Sequence, residues 1–293
     1  MSPKLLTLVA NESFTEDEVK KFLKNNYNLS IQDSVALSDN AIQLTLSKYS
    51  DIESSDLQET MEEKKVDFCI REQNQTQFKV LLCDMDATII ENETLDDLVK
   101  LTGVKANIDE TSKLAMEGKI DLRTTLKNRV SLLKGKPKNL IDEVLQGIKF
   151  NSGSDVLVKT LNSQGLITNL VTGGFEPISS YVGEKLDFYN VISNQFKFDD
   201  NQCFTGDYHL VNGEKNSKYK YMQKLSDEKK IDFSEMVSVG DGSNDLEMLS
   251  NSGLGVGYYA HNVVKENISI QINFTDLTSI LYFMGISKKQ FIN

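Results

Sequence analysis

Phe78-Lys79-Val80-Leu81-Leu82-Cys83-Asp84-Met85-Asp86-Ala87-Thr88 decides how this chain is read. Its first half is a short apolar run rich in Val and Leu, which reads as a strand buried in a parallel sheet. Residues just past the carboxyl end of such a strand lie where open α/β sheets place their ligands. Two carboxylates there, Asp84 and Asp86, suit a reaction that needs one as nucleophile and the other as acid or base. Alone, the segment would also read as an acidic turn after a strand. Three segments downstream favour the chemical reading: Leu170-Val171-Thr172-Gly173-Gly174, Lys218 in Asn216-Ser217-Lys218-Tyr219, and Val239-Gly240-Asp241-Gly242-Ser243-Asn244-Asp245.

Each of these is weak by itself. Thr172 offers a hydroxyl at a strand end, and Gly173 and Gly174 let backbone N–H groups approach an anionic oxygen, but Thr-Gly-Gly is ordinarily a turn. A lone lysine at a helix start is ordinarily solvated. Asp241 and Asp245 follow another apolar run, and a hard cation such as Mg²⁺ takes oxygen ligands of this kind. Asp245 also reads as an acidic residue at a helix N-terminus. Order along the chain gives the set its weight.

In that order the four segments resemble the signature motifs of the haloacid dehalogenase superfamily of phosphoryl-transfer enzymes. Glu91-Asn92-Glu93-Thr94, Ala115-Met116-Glu117-Gly118-Lys119, Arg129-Val130-Ser131-Leu132-Leu133 and Val171-Thr172-Gly173-Gly174-Phe175 look like the phosphoserine phosphatases within it. The resemblance runs from Phe78 onward, nearly three quarters of the chain. It implies a Rossmann-like, doubly wound parallel sheet with a helical cap inserted at about 93–151. It implies Asp84 as the nucleophile of an aspartyl-phosphate and Asp86 as the acid that later acts as base. Lys218 would clamp phosphate and nucleophile. Mg²⁺ would be held by the Asp84 and Asp241 carboxylates and the Asp86 backbone carbonyl, with Asp245 orienting a metal-bound water or Lys218. Glu93 and Arg129 would take the ammonium and carboxylate of the substrate, Arg being suited to a bidentate grip. Without the surrounding match, Arg129 would read as a surface salt bridge on an amphipathic helix. Met116 would pack against the substrate, and Thr172, Gly173, Asn244 and Lys218 would complete its site. Thr172 stands where many relatives have Ser, keeping the hydroxyl. Leu122 stands where relatives often have Phe, which loosens the pocket wall.

The implied reaction converts O-phospho-L-serine and water to L-serine and phosphate, the last step of serine biosynthesis. A phosphotransferase passing the phosphoryl group to another acceptor, such as homoserine, would use the same residues. An amino-acid sensor with an inert phosphatase half is the alternative of another class. Intact Asp84, Asp86, Lys218 and Asp241 speak against it.

Composition bounds the rest. A chain of 293 residues suggests two domains, each with a core of its own. The net charge of −11 argues against nucleic acid and anionic membranes as partners. No apolar run approaches the ~18 residues of a membrane span, and the N-terminus carries no secretory cleavage pattern. Cys69, Cys83 and Cys203 are an odd, scattered set, which fits a reduced, cytoplasmic protein. His209 and His261 read as surface residues.

Residues 1–77 read as a separate domain, the more acidic per residue, with eight Lys and Arg against fourteen Asp and Glu. Leu5 to Val9 reads as a strand. Thr15 to Glu18 reads as a capping box opening a helix through Phe22 and Leu23. Ser34 to Leu37 and Ile42 to Leu46 read as a hairpin around Asp39-Asn40. Ile52 to Met61 reads as a second helix and Val66 to Ile70 as a last strand. This βαββαβ order is that of a small α+β ferredoxin-like fold and resembles ACT-type regulatory domains. Glu72 to Gln77 is polar and reads as a linker. The domain's edge strands and helix faces suit pairing with a second copy as a homodimer, or a regulatory ligand site. From 78 to 293 strands and helices alternate, with a hairpin over Phe196 to Val211 and later strands at Gly253 to Val256 and Ile268 to Ile272.

Overall fold

Alternation, capping and turn chemistry produce the elements in chain order. In the computed structural model they are β1 (Lys4–Ala10), α1 (Glu16–Tyr27), β2 (Ser30–Ala36), β3 (Ala41–Lys48), α2 (Ser54–Glu63) and β4 (Val66–Glu72). Next come β5 (Val80–Cys83), α3 (Thr94–Leu101), α4 (Leu122–Leu132), α5 (Leu140–Gln146), α6 (Ser154–Ser163), β6 (Ile167–Glu176) and α7 (Ile178–Leu186). The chain continues with β7 (Asn190–Phe198), β8 (Phe204–His209), α8 (Ser217–Lys229), β9 (Met236–Gly240), α9 (Leu246–Asn251) and β10 (Leu254–Tyr258). Last are α10 (Asn262–Lys265), β11 (Gln271–Ile272) and α11 (Ser279–Phe283). The structure describes residues 3–27, 29–48, 54–73, 77–103, 114, 117, 119–211 and 216–293. Residues 74–76 of the expected linker lie outside them.

Two compact units result. One is Met1–Gln77 with Ser152–Thr160 and Ile270–Asn293; the other is Phe78–Asn151 with Leu161–Ser269. The expected run of 78–293 as one domain is thus interrupted twice, because two of its segments pack with the N-terminal residues.

In the first unit, β3, β1 and β4 pair antiparallel in that order, and β2 takes the other side of β3. Helix α1 starts at the capping box: Glu18 Oε2 accepts the Thr15 N–H at 2.8 Å, and Thr15 Oγ1 accepts the Glu18 N–H at 3.3 Å. One face of the sheet and the inner faces of α1 and α2 bury Leu6, Leu8, Leu23, Leu44, Leu57 and Met61. Where the sequence predicts a later strand of the phosphatase sheet over Ile268 to Ile272, only Gln271–Ile272 is extended, and Gln271 pairs antiparallel with Phe68 of β4. The buried carboxylate of Asp67 holds the segment that follows. It accepts the backbone N–H groups of Asn273, Phe274 and Thr275 at 2.8, 3.2 and 2.8 Å, and the Thr275 hydroxyl at 2.6 Å. Arg71 donates to the carbonyls of Phe283 and Met284 at 2.9 and 3.3 Å.

In the second unit the strand order is β10-β9-β5-β6-β7-β8, parallel except for the β7–β8 pair. Strand β5 lies in the middle with all four residues fully buried, which explains its unbroken apolar run. The insertion after it leaves and returns at one neck, where Ile90 and Phe150 pair, the Glu91 N–H reaches the Lys149 carbonyl at 2.8 Å and the Asn151 N–H reaches that of Ile89 at 3.0 Å. Helix α4 opens on Asp121, whose carboxylate accepts the Thr124 N–H at 2.7 Å. Beyond α4, Gly135 and Lys136 exchange backbone hydrogen bonds with Phe204 at 2.8 and 2.9 Å, tying the cap to the β7–β8 hairpin. No described helix is long and apolar enough to cross a membrane.

Removing the Asp67 carboxylate strands several buried donors, each worth about 1–3 kcal/mol when unsatisfied. Asp67→Ala should therefore destabilise the first unit by about 3 kcal/mol or more, seen as a lower urea midpoint. An unchanged midpoint would mean that the tail is held by its other contacts, those of Arg71 and its apolar packing among them.

Candidate active site

The ends of β5, β6 and β9 converge, so residues far apart in sequence meet where an open parallel sheet offers its ligand site. Asp84 directly follows β5, and its N–H donates to the Val239 carbonyl at 3.0 Å. Its Oδ1 accepts the Met85 N–H at 2.7 Å and lies 2.6 Å from Lys218 Nζ. Lys218, in the first turn of α8, is 1% exposed rather than solvated, and its ammonium also lies 2.6 Å from Asp245 Oδ1. Asp245 is fully buried, and its Oδ2 accepts the Gly242 N–H at 3.1 Å. Its carboxylate thus faces Lys218 and makes no side-chain cap on α9. Room for it exists because residue 240 is glycine: a Cβ there would stand 2.3 Å from Asp245 Cγ.

Asp86 is held from two sides. Its Oδ1 accepts the Thr94 N–H at the start of α3 at 2.7 Å, and its Oδ2 lies 3.4 Å from Thr172 Oγ1. The Gly174 N–H donates to that same Oγ1 at 2.8 Å. A Cβ on Gly174 would come within 2.8 Å of Met85 Cε and 3.1 Å of Asp86 Oδ2. Strand β6 does not stop at Thr172 as the sequence suggests. It runs to Glu176 with a break in register between Val171 and Phe175, and that break holds Thr172, Gly173 and Gly174.

Carboxylate oxygens of Asp84, Asp241 and Asp245 lie within 4.8 Å of one another. Burial pushes the Asp84 carboxyl up, against the pull of Lys218. Burial and then the charges of Asp84 and Asp245 push Asp241 well above the usual range. Burial and Asp84 push Asp245 up to about 6, again against Lys218. For Lys218, burial favours the neutral amine, but Asp245 and Asp84 outweigh it and raise its pKa. Negative charge here exceeds what one ammonium neutralises, and the donors are all hard oxygens, so the set fits a small divalent cation. Around Asp241, the Thr88 hydroxyl lies 3.4 Å from Oδ1 and the His261 N–H donates to the backbone carbonyl at 2.9 Å. His261, expected at the surface, is half-buried, with Nε2 3.7 Å from Asp241 Oδ2. His209 is exposed.

Over this floor lies a small pocket of about 70 Å³. Asp84, Asp86, Thr172, Gly173, Gly174 and Asn244 form one wall; Glu93, Leu95, Asp96, Leu126 and Arg129 of the cap form the other. Burial, then the charges of Asp86, Asp96 and Asp84, holds the Glu93 carboxyl well above its usual range, with Arg129 opposing. Arg129 Nε lies 3.0 Å from Asp96 Oδ1, and both side chains are buried. Met116 and the Leu122 side chain lie outside the described residues. Sequence reasoning missed Asp96 as a member of this pocket. Asp96 could have been found: it follows Glu93 by three residues and so falls on the same helix face.

A capped, doubly wound parallel sheet with paired carboxylates after its central strand places the chain among Rossmann-like hydrolases with an acidic site. Residues 81–250 match the model of the haloacid dehalogenase-like hydrolases, and the chain belongs to that family. It is 34% identical over 205 residues to the phosphoserine phosphatase of Lactococcus lactis subsp. lactis, covering 70% of this chain and 94% of the relative. To the phosphoserine phosphatase of Haemophilus influenzae it is 34% identical over 217 residues, 73% of this chain and 68% of the relative. A solved substrate-bound phosphoserine phosphatase superposes with a TM-score of 0.67 at 31% identity, over 71% of this chain and 99% of that one. A haloacid dehalogenase family hydrolase from Salmonella enterica serovar Typhi gives 0.83 at 25% identity, over 97% and 99%.

The raised carboxyls make metal binding and protonation compete. Groups with folded pKa above their unfolded values stabilise the metal-free fold at low pH and lose that contribution as pH rises through the folded pKa. Mg²⁺ in place of a chelator should therefore raise Tm clearly at about pH 7.5 and by less at about pH 5.5. An equal rise at both would put the cation away from Asp84, Asp241 and Asp245.

Proposed function

We propose that this enzyme is a Mg²⁺-dependent phosphoserine phosphatase. The observation that carries the reading is one pocket joining Asp84 and Asp86 to Glu93 and Arg129. A phosphomonoester with an ammonium and a carboxylate on its leaving group needs such a set. The curated relatives' names support the same substrate.

Phosphoryl transfer has a loose transition state, so positioning and charge neutralisation dominate. Lys218 and the Met85 N–H hold Asp84 Oδ1 and so orient the carboxylate for attack on phosphorus. The Asp84–phosphorus bond forms while the bond from phosphorus to the serine oxygen breaks. Asp86, whose carboxyl is raised by burial against the Thr94 hydrogen bond, gives its proton to the departing oxygen. It then takes a proton from the water that attacks phosphorus, releasing phosphate and restoring Asp84. Thr172, the Gly173 N–H and Asn244 hold the phosphoryl oxygens beside Lys218. Asp84, Asp241 and the Asp86 backbone carbonyl would hold Mg²⁺, which supplies charge neutralisation at the phosphoryl group.

A phosphomonoester panel with added Mg²⁺ tests this directly. Phosphoserine should be the preferred substrate, and Asp84→Asn should abolish turnover of every ester while folding normally, because a neutral amide forms no acyl-phosphate. Arg129→Ala should cost phosphoserine about 2–5 kcal/mol in kcat/KM, by analogy with truncated buried charge pairs. An ester without a carboxylate should lose far less. Equal losses on both would place Arg129 on the phosphate or in the cap's framework, and preference for another ester would replace the substrate assignment.

A further inference from the structure

Where β6 breaks register, β7 does not follow it. The ladder passes from Val171 opposite Ile192 to Phe175 opposite Asn194, so the Thr172-Gly173-Gly174 stretch bulges away from regular pairing. Into that break projects Asn194, fully buried. Its Nδ2 donates to the Gly173 carbonyl at 2.8 Å, and its Oδ1 accepts the Val211 N–H at 2.8 Å. A carbonyl needs a donor and an N–H needs an acceptor, so these two partners fix the amide in one orientation.

The Gly173 carbonyl belongs to the same peptide unit as the Gly174 N–H, and that N–H donates to Thr172 Oγ1 at 2.8 Å. Both ends of one rigid peptide plane are thereby held. With an N–H on its oxygen, the Thr172 hydroxyl has its one proton to give, to Asp86 Oδ2 at 3.4 Å in this structure and to a phosphoryl oxygen when substrate is bound. An unbroken line of hydrogen bonds thus runs from the end of the β7–β8 hairpin to the carboxylate assigned as acid and base.

From this geometry we infer that Asn194 is a positioning residue for phosphoryl transfer, setting the 173–174 peptide and, through it, the Thr172 hydroxyl. It replaces the backbone donor that a regular β6–β7 ladder would have offered to Gly173. It does not touch the phosphoryl group. The inference rests on the phosphatase reading above. The serine part of the substrate lies on the cap side and is not involved, so the effect is the same for any phosphomonoester.

A double-mutant cycle with Thr172 separates this role from general support of the fold. Asn194→Asp keeps the shape and the acceptor toward Val211 but removes the donor to Gly173. It should lower kcat at least tenfold on both phosphoserine and p-nitrophenyl phosphate. In a Thr172→Val background, where the hydroxyl is already gone, it should lower kcat no more than about twofold. A single variant within twofold of the unsubstituted enzyme overturns the inference, as do equal losses in the two backgrounds. If the buried aspartate prevents folding, Asn194→Ala is read in the same cycle by the same criteria. The unsubstituted enzyme is the control for the underlying reading. If it hydrolyses neither ester, the phosphatase assignment fails; if it is active and the cycle is additive, only the role of Asn194 fails.

Discussion

One ammonium, on Lys218, stands buried between two carboxylates, and the active half of the molecule is organised around it. Asp84 follows β5, Lys218 opens α8 and Asp245 precedes α9, so the contact joins three separate stretches of chain. Buried charges at this range interact far more strongly than at a surface, and removing one partner leaves the others uncompensated. The strands must therefore pack closely enough to keep the three atoms together. The glycine at 240 is one visible requirement of that closeness.

The same charge balance explains the division of labour among the acids. Lys218 neutralises part of the charge of Asp84 and Asp245, while Asp241 faces both without a cation at 2.6 Å. Asp86 is set apart from this cluster by the Thr94 N–H and the Thr172 hydroxyl. In the proposed mechanism, a carboxylate held by hydrogen bonds rather than by an ammonium is the one that moves protons.

Much of this was legible in the sequence, and for identifiable reasons. An apolar run ending in two acids is the pattern of a buried parallel strand at a ligand site, and β5 occupies that position. The Thr15–Glu18 box and the Asp39-Asn40 turn are local devices, so the N-terminal elements could be read from neighbours in sequence. What escaped was non-local. A two-residue strand such as β11 has no period to detect, and its pairing with Phe68 depends on a residue two hundred positions away. Asn194 reads as one polar residue in an ordinary strand, because only the break in β6 gives its amide a purpose. His261 reads as a surface residue until the Asp241 carbonyl is brought to it.

The grip of Asp67 on Asn273, Phe274 and Thr275 also bears on how the molecule is made. Those partners follow Asp67 by 206 to 208 residues. At ribosomal rates this is a delay of roughly 10 to 40 seconds. Through that interval the β4 edge is an unpaired strand carrying a carboxylate with nothing to receive, the kind of edge that recruits other extended chains. The catalytic unit, whose last segment ends at Ser269, has by then been synthesised in full. Maturation is thus inverted with respect to synthesis: the segment that carries Asp67 is translated before the catalytic unit and completed after it.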